Sequence, residues 1–167
     1  MAKYKRYGRE DQRALATWAA DCAARVLPIF ENAYPNDERP RKAIEACQTW
    51  VRTGIFKMAE IRTASLAAHA AARDAKAKGN EAACFAARAA GQAVGTAHVA
   101  QHAYGAALYA LKAIAASNPV QTEVRLQEER NWQSQHLPGN LEDVMERIII
   151  QKKGKRIVIK ILKGEGF

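Results

Sequence analysis

The stretch AARAAGQAVGTAHVAQHAYGAALYALKA, residues 86–113, decides the fold. Alanine dominates it, and alanine is the best helix former and a poor strand former. Side chains this small let helix axes approach closely. The run therefore predicts central helices, apolar nearly all round and buried on most sides. A single helix from Asn80 to residue 116 would be about 55 Å long at 1.5 Å per residue, too long for a compact domain of this size. Gly91, Gly95 and Thr96 offer a break, with Thr96 capping the helix that follows.

Working outward, helix signals punctuate most of the 167 residues. An apolar stripe of Leu15, Trp18, Cys22 and Val26 predicts a first helix ending near Tyr34-Pro35, kinked or broken at Pro28. Asp37 is a candidate cap and Pro40 suits the first turn of a second helix, closed by Gly54. A third carries Met58, Ile61, Ala64, Ala68 and Ala72 on one face and stops at Lys78-Gly79; Asn80 caps a fourth. Another begins at Asn118-Pro119 and runs towards His136. After the LPGN turn, Leu141, Val144, Met145, Ile148 and Ile149 form an amphipathic helical pattern. The expectation is an all-α single compact bundle of six or seven helices with small-residue packing. The basic tail adds a strand pattern, with Ile157, Ile159 and Ile161 alternating with Val158, Lys160 and Leu162. Such a strand pairs with an upstream segment such as 146–151 or with a second copy, giving a homodimer; otherwise the tail is an exposed extension.

The net charge is +9. Residues 1–9, a basic N-terminal arm, carry four cations and no acid; residues 151–167, the isoleucine-rich tail, carry six against Glu165. The helical domain, residues 10–150, is neutral with sixteen charges of each sign. Nucleic-acid binders more often line a groove of the folded body with cations, so basic ends argue against nucleic acid as the partner. Cys22, Cys47 and Cys84 are isolated in apolar stripes, as in a reducing compartment, and no signal-peptide run follows the N-terminus. The cytoplasm is the expected location. The uncharged run from Ala89 to Leu111 is long enough to span a bilayer, but its glutamines, histidines and alanines insert poorly, so no membrane span is expected.

On a helix His98, His102, Gly105 and Tyr109 share one stripe. Two imidazoles one turn apart can chelate a transition metal such as zinc, but a stable site needs a third ligand, for which His69 is a candidate. The competing reading is polar groups satisfied within a core or pocket, with no cofactor. His69 and Arg73 are also four apart; a part-buried Arg73 calls for an anion, with Asp37 or Asp74 as partner. That pair either locks two helices or lines a pocket for a carboxylate or phosphate. No phosphate-cradling glycine loop or nucleophile elbow is present, and no catalytic residue is assigned.

Four segments together carry a resemblance: NDERPRKAIEACQTW (36–50), SLAAHAAARDA (65–75), the 86–113 stretch and EERNWQSQHLP (128–138). Over most of residues 10–140 the chain resembles the alanine-rich immunity proteins associated with bacterial polymorphic toxin systems. Matching motif positions are Asp37, Arg39 and Pro40, then His69 and Arg73, His98 and His102, and Arg130 and Trp132. The resemblance implies an all-helical immunity protein that neutralises a protein toxin by binding, without catalysis. The isoleucine-rich tail departs from that pattern. Alternatives are a ligand- or metal-binding helical domain, or an enzyme, with a His/Arg pocket, and nucleic-acid binding through the basic ends.

Overall fold

A computed structural model describes residues 5–117 and 120–164. Among these the chain forms α1 (Arg9–Ala33), α2 (Arg39–Thr53), α3 (Met58–Ala77), α4 (Glu81–Gly95), α5 (His102–Ser117) and α6 (Thr122–His136). A 3-10 turn (Gly139–Leu141), a short α7 (Asp143–Glu146) and two strands, β1 (Ile148–Lys153) and β2 (Arg156–Ile161), complete it. It is an all-α bundle with a C-terminal antiparallel hairpin. The expected start at Asn118-Pro119 lies outside the described residues.

Helix α4 is central, touching α1, α2, α3 and α5. Its buried face is Ala83, Ala86, Ala87, Ala89, Ala90 and Ala93, and α5 answers with Ala103, Ala106, Ala107, Ala110 and Ala113. Larger groups, including Trp18, Phe30, Tyr104 and Leu111, fill the space between these close-packed helices. All three cysteines are buried and free.

Local signals explain several boundaries. Gly54 takes a left-handed φ of 68° and its N–H donates to Trp50 O at 2.7 Å, closing α2. Asn80 Oδ1 accepts from Ala83 N at 3.0 Å, capping α4. Asp37 sits one residue ahead of the N-cap position of α2, where Oδ1 accepts the Arg39 N–H at 3.2 Å.

Three expectations are corrected. Pro28 does not break α1, because its own position is exposed while Val26, Leu27 and Phe30 around it are buried and hold the last turns in place. Thr96 does not cap α5. It lies at the end of α4 in helical conformation, and its hydroxyl donates back to Gln92 O at 3.3 Å. Residues 97–101 then turn before α5 starts at His102. The pattern from Leu141 to Ile149 is not one helix either. Only 143–146 is helical, because Ile148, Ile149 and Ile150 are β-branched and find a strand partner.

That partner is the tail. Ile148 pairs with Ile161, Ile150 with Ile159 and Lys152 with Ile157. The isoleucines in this register turn one face of the hairpin towards α5 and α6, and Ile148 and Ile159 are buried. The upstream pairing is therefore realised within the chain. The tail is a paired strand rather than an exposed extension, and residue 151, its expected start, lies inside β1. Among the described residues no helix is long and apolar enough to cross a membrane.

Candidate functional site

The arm from Lys5 and the second strand of the hairpin both lie beside the α4–α5 connection. Gln101 Nε2 donates to Lys5 O at 2.7 Å, and Lys5 Nζ pairs with Asp143 Oδ2 at 2.6 Å. The Tyr7 hydroxyl bonds to that of Tyr104, and burial with this bond holds the Tyr7 phenol well above its ordinary pKa, hence neutral. Gln12 Nε2 donates to the carbonyls of Thr96 (2.9 Å) and Ala97 (3.2 Å), supplying partners where the helical ladder of α4 stops. From the other end, Leu162 N donates to Arg147 O at 2.8 Å.

Between these elements lies a cleft of about 1010 Å³. One wall is the arm at Lys5–Tyr7; a second is residues 98–102 with Leu108, Tyr109 and Lys112 of α5; the third is Ile159–Ile161 with Lys163. Among the described residues its lining holds Lys5, Arg6, Lys112, Lys160 and Lys163 and no acidic residue.

The floor is built by glycines. Gly105 leaves room for Gln92, whose Oε1 would lie 2.7 Å from a Cβ there. Gly95 leaves room for the His102 ring, with Cγ at 3.1 Å from the equivalent point. His102 Nδ1 meets Gln92 Oε1 at 2.7 Å, so Nδ1 carries the proton and donates. Behind this, His69 Nε2 lies 2.7 Å from the point a Cβ on Gly91 would occupy. Burial lowers the pKa of both His69 and His102, helped by the positive field of Arg88, His102 and Arg73 at His69 and of His98 at His102. Both imidazoles are neutral at neutral pH.

Of the expected site residues, His98, His102 and Tyr109 line the cleft, and His69 lies behind it. His98 does not share a helical stripe with His102. It precedes α5, is exposed, and stacks on Phe56 of the α2–α3 loop with ring centroids 6.4 Å apart. Among the described residues no three His, Cys, Asp or Glu side chains are grouped to hold a metal, so His69, His98 and His102 do not form the ligand set imagined for zinc. Tyr109 stacks on Phe85 at 6.0 Å, with Lys112 about 5.7 Å from its ring.

The remaining positions lie elsewhere. Asp37 and Asp74 pair with Arg39, at 2.6 and 2.7 Å, instead of with Arg73. The Arg39 guanidinium holds the Asp37 carboxyl below its ordinary range. Arg73 is exposed rather than part-buried, so it needs no internal counter-ion. Arg130 Nη1 donates to Ile148 O at 2.9 Å, tying α6 to β1. Trp132 lies between the Arg25 guanidinium (4.1 Å) and the His136 ring (4.2 Å). Burial raises the thiols of Cys22 and Cys47, the latter to about 12, so neither is a nucleophile at neutral pH.

Sequence reasoning missed Gln92, Gln12, Gln101 and Tyr7, and took Lys5, Arg6 and Lys160 for parts of tails. The signal available for Gln92 was its place in the otherwise small, uncharged 89–111 run.

Searches among curated proteins and among solved structures return no match. A family model described as Imm-5 like putative immunity protein matches residues 5–140. The match takes in the arm from residue 5 and helices α1–α6 and ends before the hairpin. With most of its length inside that match, the chain belongs to the Imm-5 like immunity protein family.

Proposed function

We propose that this immunity protein neutralises a partner toxin by binding it stoichiometrically, without catalysis, and docks it at the end of the bundle where the α2–α3 and α4–α5 connections meet. The observation that carries this reading is an exposed apolar group there. Ile55, Phe56, Met58 and Val99 are 63%, 44%, 44% and 40% exposed, and the Phe56–His98 stack joins the two connections. Single exposed apolar residues are ordinary, but a contiguous group with a charged rim is the usual anatomy of a protein-binding surface. The rim here is the basic cleft, which His98 and Val99 also line.

The test is co-expression with a toxin encoded beside it. The reading expects a co-purifying complex, inhibition that saturates at a fixed ratio, and loss of both in Phe56→Asp with its melting temperature retained. Protection by substoichiometric amounts would indicate an enzyme and overturn it, as would protection with no complex.

A further inference from the structure

We infer that the basic cleft receives an acidic, partly apolar segment of the partner polypeptide, with Arg6, Lys112 and Lys160 facing its carboxylates and the hairpin wall contributing to the choice of partner. This rests on the toxin-binding reading and specifies the chemistry of the surface beside Phe56.

Residues 10–150 are neutral, so the chain's excess charge sits in its ends, and the fold brings Lys5 and Arg6 of one end and Lys160 and Lys163 of the other to this cleft. Lys5 is already paired with Asp143. Arg6 and Lys160 are exposed and have no ion pair among the described residues. Lys112 lies against the faces of Phe85 and Tyr109, at 5.6 and 5.7 Å, which orient the ammonium without neutralising it. A lining with cations and no acid attracts and holds an anionic partner.

The shape favours a length of chain over a small phosphate. The cleft is at or above the upper end of ordinary small-molecule sites, about 300–1,000 Å³. Its cations are interleaved with Val99, Leu108, Ile159 and Ile161, which suit apolar side chains between carboxylates. The start of α5 opens here, yet it is not a vacant anion nest. The N–H groups of His102, Ala103 and Tyr104 already donate to Val99, Ala100 and Gln101 at 3.0–3.1 Å. His102 and Gln92 satisfy each other and add no charge to the floor. Ile159, Lys160, Ile161 and Lys163 lie beyond the family-matched residues 5–140, so this wall stands outside the part of the chain that the family match covers.

The experiment measures binding of a labelled peptide alternating glutamate and leucine to the full chain, by fluorescence anisotropy. Controls are the peptide with glutamine for glutamate, oligo-dT of equal length, and inorganic phosphate as competitor. The acidic peptide binds and the glutamine peptide does not. Arg6→Glu with Lys160→Glu weakens binding about tenfold or more, and the glutamine versions at these exposed positions weaken it in the same direction. Lys153→Glu with Arg156→Glu makes the same net-charge change at the hairpin tip, outside the cleft, and leaves binding within about twofold. Equal loss in the tip variant, tighter binding of oligo-dT, or displacement by phosphate alone overturns the inference. Phe56→Asp separates the two readings. If it abolishes protection while the cleft variants protect fully and bind toxin normally, the cleft inference fails and toxin binding stands. If toxin never binds the wild-type chain, toxin binding fails, and peptide binding by the cleft is judged by the anisotropy alone.

Discussion

His102 donates from Nδ1 to Gln92 Oε1 at 2.7 Å, across a space that exists because residue 105 is glycine. The pair makes a neutral floor beneath a basic cleft, and its neutrality has a measurable consequence.

Burial places the folded-state pKa of His69 and His102 below the ordinary 6.5. Between the folded value and 6.5 the unfolded chain binds more protons, so stability rises with pH there. The urea midpoint is therefore full above about pH 6.5, falls on acidification below it, and levels off beneath the folded values. His69→Gln and His102→Gln reduce the slope. The Asp37 carboxyl, lowered by Arg39, loses its contribution only as pH falls from its ordinary 3.8 through its folded value, so the two windows separate. An unchanged midpoint between pH 7 and 5 would contradict the histidine assignment.

Gly91→Ala gains about 1 kcal/mol of helix propensity but places a Cβ 2.7 Å from His69 Nε2. Overpacking of about 1–3 kcal/mol outweighs the gain, and the variant melts lower than wild type. In a His69→Ala background the sign reverses, and Gly91→Ala stabilises by up to about 1 kcal/mol. A double-mutant cycle by denaturation measures it.

Glu129 is buried, with its Oε2 2.9 Å from Arg25 Nε, while Arg25 also covers Trp132. Arg25→Met keeps part of the packing but leaves the carboxylate without its cation. The expected cost is about 1–3 kcal/mol, read from urea midpoints. Glu129→Gln costs less, because the uncharged amide does not need that cation.

The hairpin depends on its inward isoleucines and on Arg130. Ile159→Ala costs about 2–5 kcal/mol if the hairpin unfolds with the body. Arg130→Ala removes the bond to Ile148 O and costs about 1 kcal/mol. Hydrogen exchange distinguishes the two: Arg130→Ala speeds exchange in β1 and β2 while α4 amides stay protected.

Zinc is not expected to stabilise the protein, since no three ligands converge on His98 and His102 among the described residues. Melting temperature stays constant on adding zinc or a chelator, whereas specific binding would raise it with metal concentration. Stoichiometric metal that disappears in a His98→Ala, His102→Ala variant would contradict this.

Much of the helical framework was legible because its causes are local. The alanine run, the Asn80 cap and the Gly54 and Gly79 stops act within one or two turns of where they occur. The alternation of Ile157, Ile159 and Ile161 likewise announced a strand. Leu141–Ile149 misled because apolar spacing alone cannot say whether a β-branched run has a strand partner nearby. Thr96 misled because the same hydroxyl can cap a following helix or bond back to its own. His98 and Arg73 were placed on buried faces by extending a helix period across a break, or by assuming a neighbour that Arg39 had already engaged.

The cleft was legible only in part, since His98, His102 and Tyr109 were expected pocket residues while its arm and hairpin walls were not. The sequence by itself determined an alanine-packed helical body, neutral in charge, with cationic ends and a strand-forming tail. Only the tertiary structure decided that residues from both ends line one cleft, with Lys5 held by Asp143 and Gln101 and the hairpin's Ile159–Ile161 forming another wall. Helix and strand patterns are properties of neighbouring residues, whereas a binding cleft depends on which distant surfaces the packed core brings together. Lys5, Arg6, Lys160 and Lys163, which read as parts of two solvated tails, line one cleft with Lys112 once the chain closes on itself.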